Sequence, residues 1–323
     1  MICHENINYI VETCKKENPC KIDIRYNEPM AGHTSFKVGG PTDCWLRPVR
    51  AEAGSDEDFY AFTAALLSAA CTENVPVFLL GGGANILVAD AGIRGIVLDT
   101  GGWTGVQKQQ EGLLEFRCGT SLDDAAEIAA DLGLSGLEFL AGMPGSIGGA
   151  VWMNARCYGR EIADVLAETE IIDFTGDAPL QLRLPAKRTD FGYKRSPFQG
   201  TDHFILSASL QLTPGNTSDI RAEMDAHRRD REEKGHYRYP SAGSVFKNNE
   251  DFGKPTGKII EELGLRGLRI GGAQVAPWHG NFIVNTDAAT ASDIRALVNE
   301  VAAKVKTATN FELEPEILFM GEW

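Results

Sequence analysis

The feature that most constrains this chain is where its glycines stand. Gly81-Gly82-Gly83 closes the apolar run Val77–Leu80, and the stretch 136–159 (GLEFLAGMPGSIGGAVWMNARCYG) contains Pro144-Gly145-Ser146-Ile147-Gly148. Glycine accounts for 35 of 323 residues, about 11% against about 7% on average, and the surplus is clustered. Consecutive residues without Cβ let backbone N–H groups close on an anion. Each run taken alone also reads as a strand-ending turn or a tight loop between packed elements. Neither matches G-x-G-x-x-G or opens a clear βαβ unit, and GxxxxGK[ST] is absent, so a Rossmann site and a P-loop are not expected. Two glycine loops without a nucleotide fingerprint point to a dinucleotide held by a different fold.

The spacing around these loops predicts mixed elements. Ile7, Ile10, Val11 and Cys14 follow a helical period. HTSFKVGGPTDCWLRPV (33–49) reads as β broken at Gly39-Gly40-Pro41, and 57–72 reads as a helix. Val77–Leu80 and Ile96–Leu98 read as strands. Ser121 has capping-box spacing to Asp124, ahead of a helix that runs through Leu132 and stops at Gly133. Residues 160–212 read as strands and turns, Thr213–Ser218 as a linker, and 218–234 as a charged helix whose Arg228–Lys234 run is a solvated face. Ile294, Leu297, Val298, Val301 and Val305 mark a last helix, and FELEPEILFM (311–320) a closing strand. Without steady βαβα alternation the class is α+β, divided near residue 213 into 1–212 and 213–323.

Composition removes several function classes. The formal charge of −14 disfavours a broad nucleic-acid or anionic-membrane surface, while leaving room for one local cationic pocket. No apolar run approaches the roughly 20 residues of a membrane span, so no membrane insertion is expected. The charged N-terminal stretch has no apolar h-region, which argues against a signal peptide. Seven cysteines without CxxC suggest no disulfide framework and a reduced, cytoplasmic setting. Without H-E-x-x-H or zinc-finger spacing, no metal site is expected among the histidines.

Three further clusters carry chemistry-bearing residues. Ser241–Asn248 (SAGSVFKN) places the Ser244 hydroxyl beside a flexible glycine, then Lys247 and Asn248, which suits proton donation near an anion. It equally reads as a loop serine serving local backbone. Phe191–Phe198 (FGYKRSPF) interleaves aromatic and cationic groups, and Leu313-Glu314-Pro315-Glu316 offers a carboxylate. A surface turn and solvated acids are the plain alternatives.

The order and wording of the clusters go further than any one of them. HTSFKVGGPT, GGGANILV, GLEFLAGMPGSIGGAVWMNARCYGREI, FGYKRSPF, YPSAGSVFKN, IGGAQVAPWHGNFIVN and LEPEI run from residue 33 to 317. This closely resembles the UDP-N-acetylenolpyruvoylglucosamine reductases, in the shorter, second type of that family. The resemblance implies an FAD-binding region of the vanillyl-alcohol-oxidase type, with two α+β lobes at about 1–100 and 101–212, and a third α+β lobe for substrate. It implies non-covalent FAD, NADPH as co-substrate and UDP-N-acetylglucosamine enolpyruvate as the acceptor. Another FAD-dependent oxidoreductase on the same scaffold is the alternative.

Carried over residue by residue, the flavin contacts implied are Lys37, Gly39, Gly40, Gly81, Gly82, Gly83, Asn85, Ile86, Pro144, Gly145, Ser146, Ile147, Gly148, Asn154 and Ala155. Ser244 matches the proton-donating serine, and Glu316 the acid beside the enol carboxylate. Lys194 stands where the family usually has arginine, with Arg195 next to it. Lysine is a point charge and cannot grip a carboxylate bidentately, so both are candidates. Tyr193, Arg195, Lys247, Asn248 and His279 are the implied substrate contacts, and Arg156 replaces a glycine usual after MNA.

Overall fold

The computed structural model describes residues 4–17, 20–49, 55–176 and 178–323. They form two compact units. Unit 1 takes the chain up to Tyr26, Asp43–Gly82 and Gly95–Arg228, and unit 2 takes Asn27–Thr42, Gly83–Arg94 and Arg229–Trp323.

In unit 1 the helix His4–Glu17 turns Ile7, Ile10, Val11 and Cys14 inward, as their spacing requires. The helix Asp56–Thr72 begins on a full capping box: the Ser55 hydroxyl accepts from Asp58 N–H, and the Asp58 carboxylate accepts from Ser55 N–H. One four-stranded sheet runs in the order Ile22–Pro29, Pro41–Pro48, Ile93–Asp99, Val77–Leu80, with the last two parallel and Val77 opposite Ile96. A five-stranded sheet follows, ordered Leu180–Pro185, Leu166–Asp173, His203–Gln211, Leu113–Arg117, Val106–Gln110, antiparallel at every step. Apolar side chains from both sheets, and from the helices Leu122–Asp131 and Ile147–Met153, join one continuous core.

The division expected at 213 falls elsewhere in the structure, after Arg228. The helix Thr217–Glu233 buries Ile220 and Met224 in the unit 1 core. Its Arg221 pairs with Glu127 and Asp131, and its Arg228 with Asp123 and Glu127. The Arg228 charge is therefore matched against the acidic face of Leu122–Asp131 rather than left to solvent.

Unit 2 is built on the helix Ala291–Thr309, which buries Ile294, Leu297, Val298, Val301 and Val305. It packs on a three-stranded antiparallel sheet ordered Arg269–Ile270, Ala273–Val275, Ile283–Asn285. Phe36, Val38 and Leu87 belong to this core, which is why two early segments join the C-terminal unit. The closing strand is shorter than its composition suggests: only Leu318–Met320 pairs, in parallel with Ile86–Val88. Pro315 lies opposite Phe246 in a single isolated bridge, bracketed by the Lys247 N–H to Glu314 O and Glu316 N–H to Val245 O bonds.

Candidate functional site

Unit 1 brings the two glycine loops together backbone to backbone. A Cβ on Gly82 would lie 2.7 Å from the Gly145 Cα, and one on Gly81 2.5 Å from the Ser146 Oγ. Gly145 also holds φ at +133°, a conformation L side chains rarely adopt. Among the described residues, the amides of Gly82, Gly145 and Ser146 donate to no protein acceptor, although Ser146 is 3% exposed. Of the three only Ser146 is buried, with Gly145 half-buried and Gly82 exposed, and N–H groups left open at a glycine-lined contact fit an anion such as a diphosphate. Ile147 and Gly148 contribute differently. Their amides are spent on Thr120 O at 2.9 Å and Cys118 O at 2.8 Å, and the Ile147 side chain sits in the core. Pro144 has no N–H to offer.

Asn154 ends the helix Ile147–Met153 in the left-handed conformation, φ +46°. Its buried side chain donates to Gly192 O at 2.8 Å and accepts from Ala163 N at 3.2 Å. Ala155 N–H bonds to Ala150 O. Both residues therefore shape the loop through local bonds. Asn154 also anchors the turn that carries Tyr193, Lys194 and Arg195, which Gly192 and Arg195 close by exchanging two backbone hydrogen bonds. Lys194 sits at φ +56°, and its carbonyl accepts from Gln199 Nε2 at 3.1 Å. Arg156 places its guanidinium 5.9 Å from the Tyr193 ring centroid, a cation–π arrangement.

Unit 2 gathers the remaining candidates. Gly83, at φ +61°, lies so close to the 33–40 loop that a Cβ would meet His33 O at 2.0 Å. Gly40 donates to Ala89 O and accepts from Met30 N, Gly39 O accepts from Ala31 N, and Ile86 is paired opposite Leu318. These backbones are committed to structure. Lys37 is exposed at φ +57° in the same loop. Asn85 Nδ2 donates to Glu316 O at 3.1 Å, which joins an expected flavin contact to an expected catalytic acid.

The serine segment is the best-tied part of unit 2. Val245 N–H bonds to Asn281 O at 2.9 Å, and Val245 O accepts from Glu316 N at 2.7 Å. Phe246 exchanges both backbone groups with the Asn281 side chain: N–H to Oδ1 at 3.0 Å, and O from Nδ2 at 2.8 Å. Lys247 N–H bonds to Glu314 O at 2.9 Å, while Lys247 O accepts from Thr256 Oγ1 at 2.8 Å. Asn248 Oδ1 accepts from Thr256 N at 2.9 Å. Ser244 stands at the head of this segment, opposite Phe282, and its hydroxyl has no hydrogen-bond partner among the described residues. Glu316 is buried at 9% exposure, and the Lys247 ammonium pairs with Glu314 at 2.6 Å.

His279 packs on Phe282 and accepts from Asn281 N–H through Nδ1 at 3.1 Å. Burial, aided by the Arg266 charge, holds its pKa below the usual histidine value. His236 contacts the same Phe282 ring from another direction, and burial with the Arg231 charge pushes it down to about 4. Sequence reasoning did not single out Asn281 or Thr256. Asn281 stands two residues after His279 in the same motif, and its burial and paired amide reveal its role.

The paired sheets, the glycine contact with free amides and the separate C-terminal unit define a flavin-binding protein of α+β class. Residues 61–178 match the FAD binding domain model, and residues 235–320 match the C-terminal domain model of UDP-N-acetylenolpyruvoylglucosamine reductase. The chain is 41% identical over 313 residues to the UDP-N-acetylenolpyruvoylglucosamine reductase of Treponema denticola, covering 93% of this chain and 94% of that one. It is 40% identical to the Borreliella burgdorferi protein of the same name, covering 93% and 96%. A crystal structure of the Thermus caldophilus reductase superposes with a TM-score of 0.73 at 30% identity, over 93% of this chain and 99% of that one. The chain belongs to the UDP-N-acetylenolpyruvoylglucosamine reductase family.

Proposed function

We propose that this chain is the FAD-dependent enzyme that reduces UDP-N-acetylglucosamine enolpyruvate to UDP-N-acetylmuramate with NADPH, in peptidoglycan precursor synthesis. Its setting is the cytoplasm, where its product serves cell-wall growth, cell shape and division. Among the described residues no helix is long and apolar enough to cross a membrane.

Bound FAD would supply the two-electron chemistry, a hydride from NADPH for carbon 3 of the enol. In unit 1 the Gly82, Gly145 and Ser146 amides hold its diphosphate, with Gly81, Pro144, Ile147 and Gly148 shaping the contact and Asn154 and Ala155 supporting it. In unit 2 Lys37, Gly83 and Asn85 are the flavin contacts, on the frame set by Gly39, Gly40 and Ile86. Ser244 Oγ donates a proton to carbon 2, which balances the hydride added at carbon 3 and saturates the double bond. Lys194, with Arg195, steadies charge developing on the enol carboxylate. Glu316 stands beside that carboxylate, and Tyr193, Lys247, Asn248 and His279 hold the remainder of the substrate.

The observation that carries this reading is the Glu316 N–H to Val245 O bond, which fixes the acid next to the serine's segment. Purified protein should be yellow, lose its flavin colour on NADPH addition under argon, and regain it with the enolpyruvyl substrate. Colour that NADPH does not bleach, or that returns equally without substrate, would sink the assignment.

A further inference from the structure

A backbone segment that presents a catalytic hydroxyl must be held still, and every polar group of Val245, Phe246 and Lys247 is accounted for. Two of the six bonds go to one side chain: the Asn281 amide meets Phe246 N–H and O as a neighbouring strand would. Its own carbonyl takes a third, from Val245 N–H. Asn281 is 4% exposed, so water cannot replace these bonds cheaply. On the opposite flank two ladder bonds bracket Pro315, Lys247 N–H to Glu314 O and Glu316 N–H to Val245 O, so the Phe246 N–H and C=O face the Asn281 side. There the side-chain amide stands in for a strand.

Val245 also receives the Glu316 N–H, so one three-residue stretch sets the place of both the serine and the acid. Asn281 is in turn fixed by His279, whose Nδ1 accepts its N–H at 3.1 Å. Gly257, in the helix Thr256–Glu262, packs against this residue: a Cβ there would stand 3.3 Å from the Asn281 Cβ.

We propose that Asn281 is a positioning residue for the reduction step: its amide clamps the Phe246 backbone and so sets where Ser244 and Glu316 stand. With its amide spent on Phe246 and only 4% of its surface exposed, it acts through the backbone it holds. The proposal rests on the reading of Ser244 as proton donor.

The test uses Asn281→Asp in the flavin-loaded enzyme. Aspartate keeps an acceptor for Phe246 N–H and sets a carboxylate oxygen against Phe246 O, breaking one half of the clamp with little change in volume. Flavin content and the rate of reduction by NADPH should match the parent. Reoxidation by the enolpyruvyl substrate should slow roughly 10- to 100-fold, within the range a misplaced reacting group costs, with the change in kcat rather than KM. In a Ser244→Ala background the same substitution should cost clearly less than in the parent, the remainder being the share that acts through Glu316, because coupled residues are not additive. Equal slowing of both half-reactions, or full multiplication of the two effects, would overturn the proposal. If Ser244→Ala slows neither half-reaction, the reading of the serine fails, and this outcome is distinct from the others. Should Asn281→Asp fail to fold, hydrogen exchange in the parent decides: the Phe246 amide should rank among the slowest in unit 2, and exchange at loop rates would overturn the clamp.

Discussion

The glycine contact of unit 1 and the serine segment of unit 2 solve opposite problems. At Gly82, Gly145 and Ser146 the N–H groups are unpaired and side chains are absent or small, so the main chain is what a ligand meets. At Val245–Lys247 every backbone group is paired and the main chain is closed to ligands, leaving the side chains of Ser244, Lys247 and Asn248 at its edges. Anion binding needs free, pre-aimed N–H groups. Proton donation needs one hydroxyl at one place, and a fully paired backbone supplies that. The first region is a surface made by removing side chains, and the second is a mount for one.

The largest effect expected is at the mount. Ser244→Ala removes a hydroxyl that bonds to nothing else among the described residues, so stability should barely change. Flavin content and reduction by NADPH should stay near parental, while reoxidation by substrate slows roughly 10²–10⁴-fold, the usual worth of a placed general acid. That is about 2.7–5.5 kcal/mol. Stopped-flow absorbance separates the halves, and equal slowing in both would make the segment structural rather than a mount.

Next come the glycines, which should fail for different reasons. Gly82→Ala drives a methyl into the Gly145 backbone at 2.7 Å. The collision is within the protein, so the apoprotein should melt lower by the equivalent of about 1–3 kcal/mol, and flavin should be lost as well. Gly145→Ala has room, with Leu122 Cδ1 at 3.4 Å, and suffers only from φ at +133°. Its cost should be about 1–3 kcal/mol of strain. If Gly82→Ala lost flavin with an unchanged apoprotein melting temperature, the glycine would be answering to the phosphate alone, and the comparison would need redrawing.

Much of this is legible in the sequence. The period of Ile7, Ile10, Val11 and Cys14, and of Ile294 through Val305, gave two helices because an apolar stripe at 3.6 residues has one way to hide. The seven motifs marked the family and the regions of chemistry. Individual contacts were less legible. Ile147, Gly148 and Gly40 lie inside glycine-rich motifs, yet their amides bond to Thr120, Cys118 and Ala89, and no local pattern announces a partner that distant. The Arg228 pairing with Asp123 and Glu127 was hidden for the same reason: a mixed-charge helix face looks solvated until its neighbour is known. Asn281 lies inside a quoted motif, two residues from His279, but asparagine is common in turns and only its burial and paired amide show what it does.

Acid should separate the two units. Burial holds His236 down to about 4, with Arg231 and Lys234 adding to the effect and Asp230 opposing it, and it lowers His279 in the same direction. The unfolded chain takes up those protons near pH 6.5, while the folded one takes them up only below that, His236 not until about 4. Stability is therefore complete above about pH 6.5 and is lost as pH falls toward about 4, by less than about 1.4 kcal/mol per unit for each partly buried ring. In unit 1, burial raises Glu115, but the Ser207 and Arg183 hydrogen bonds outweigh it and hold the acid below its usual range. That stability is lost only when pH falls through the carboxylate range. His236→Gln should flatten the melting temperature between pH 6.5 and 5, and an unchanged slope would remove the histidine from the account.

The smallest effect expected is at the Lys247–Glu314 ion pair, and it tests what holds the mount. The two charged groups are 2.6 Å apart, but the Glu314 side chain is 69% exposed. Exposed pairs contribute about 0.2–1 kcal/mol at most and fade with salt. The bonds that fix the segment here are main-chain ones, Lys247 N–H to Glu314 O and Glu316 N–H to Val245 O, and Glu314→Gln leaves both intact. The variant should melt within about 1 kcal/mol of the parent, closer still at high salt, with an unchanged rate of reoxidation by substrate. KM should stay level or fall, because Lys247 no longer has to leave a carboxylate before meeting an anionic substrate. A loss above about 2 kcal/mol, or a slower reoxidation, would mean that the side-chain charges hold the segment. The serine's place would then depend on ionic strength, and the contrast with the uncharged glycine contact would be one of electrostatics rather than of backbone pairing.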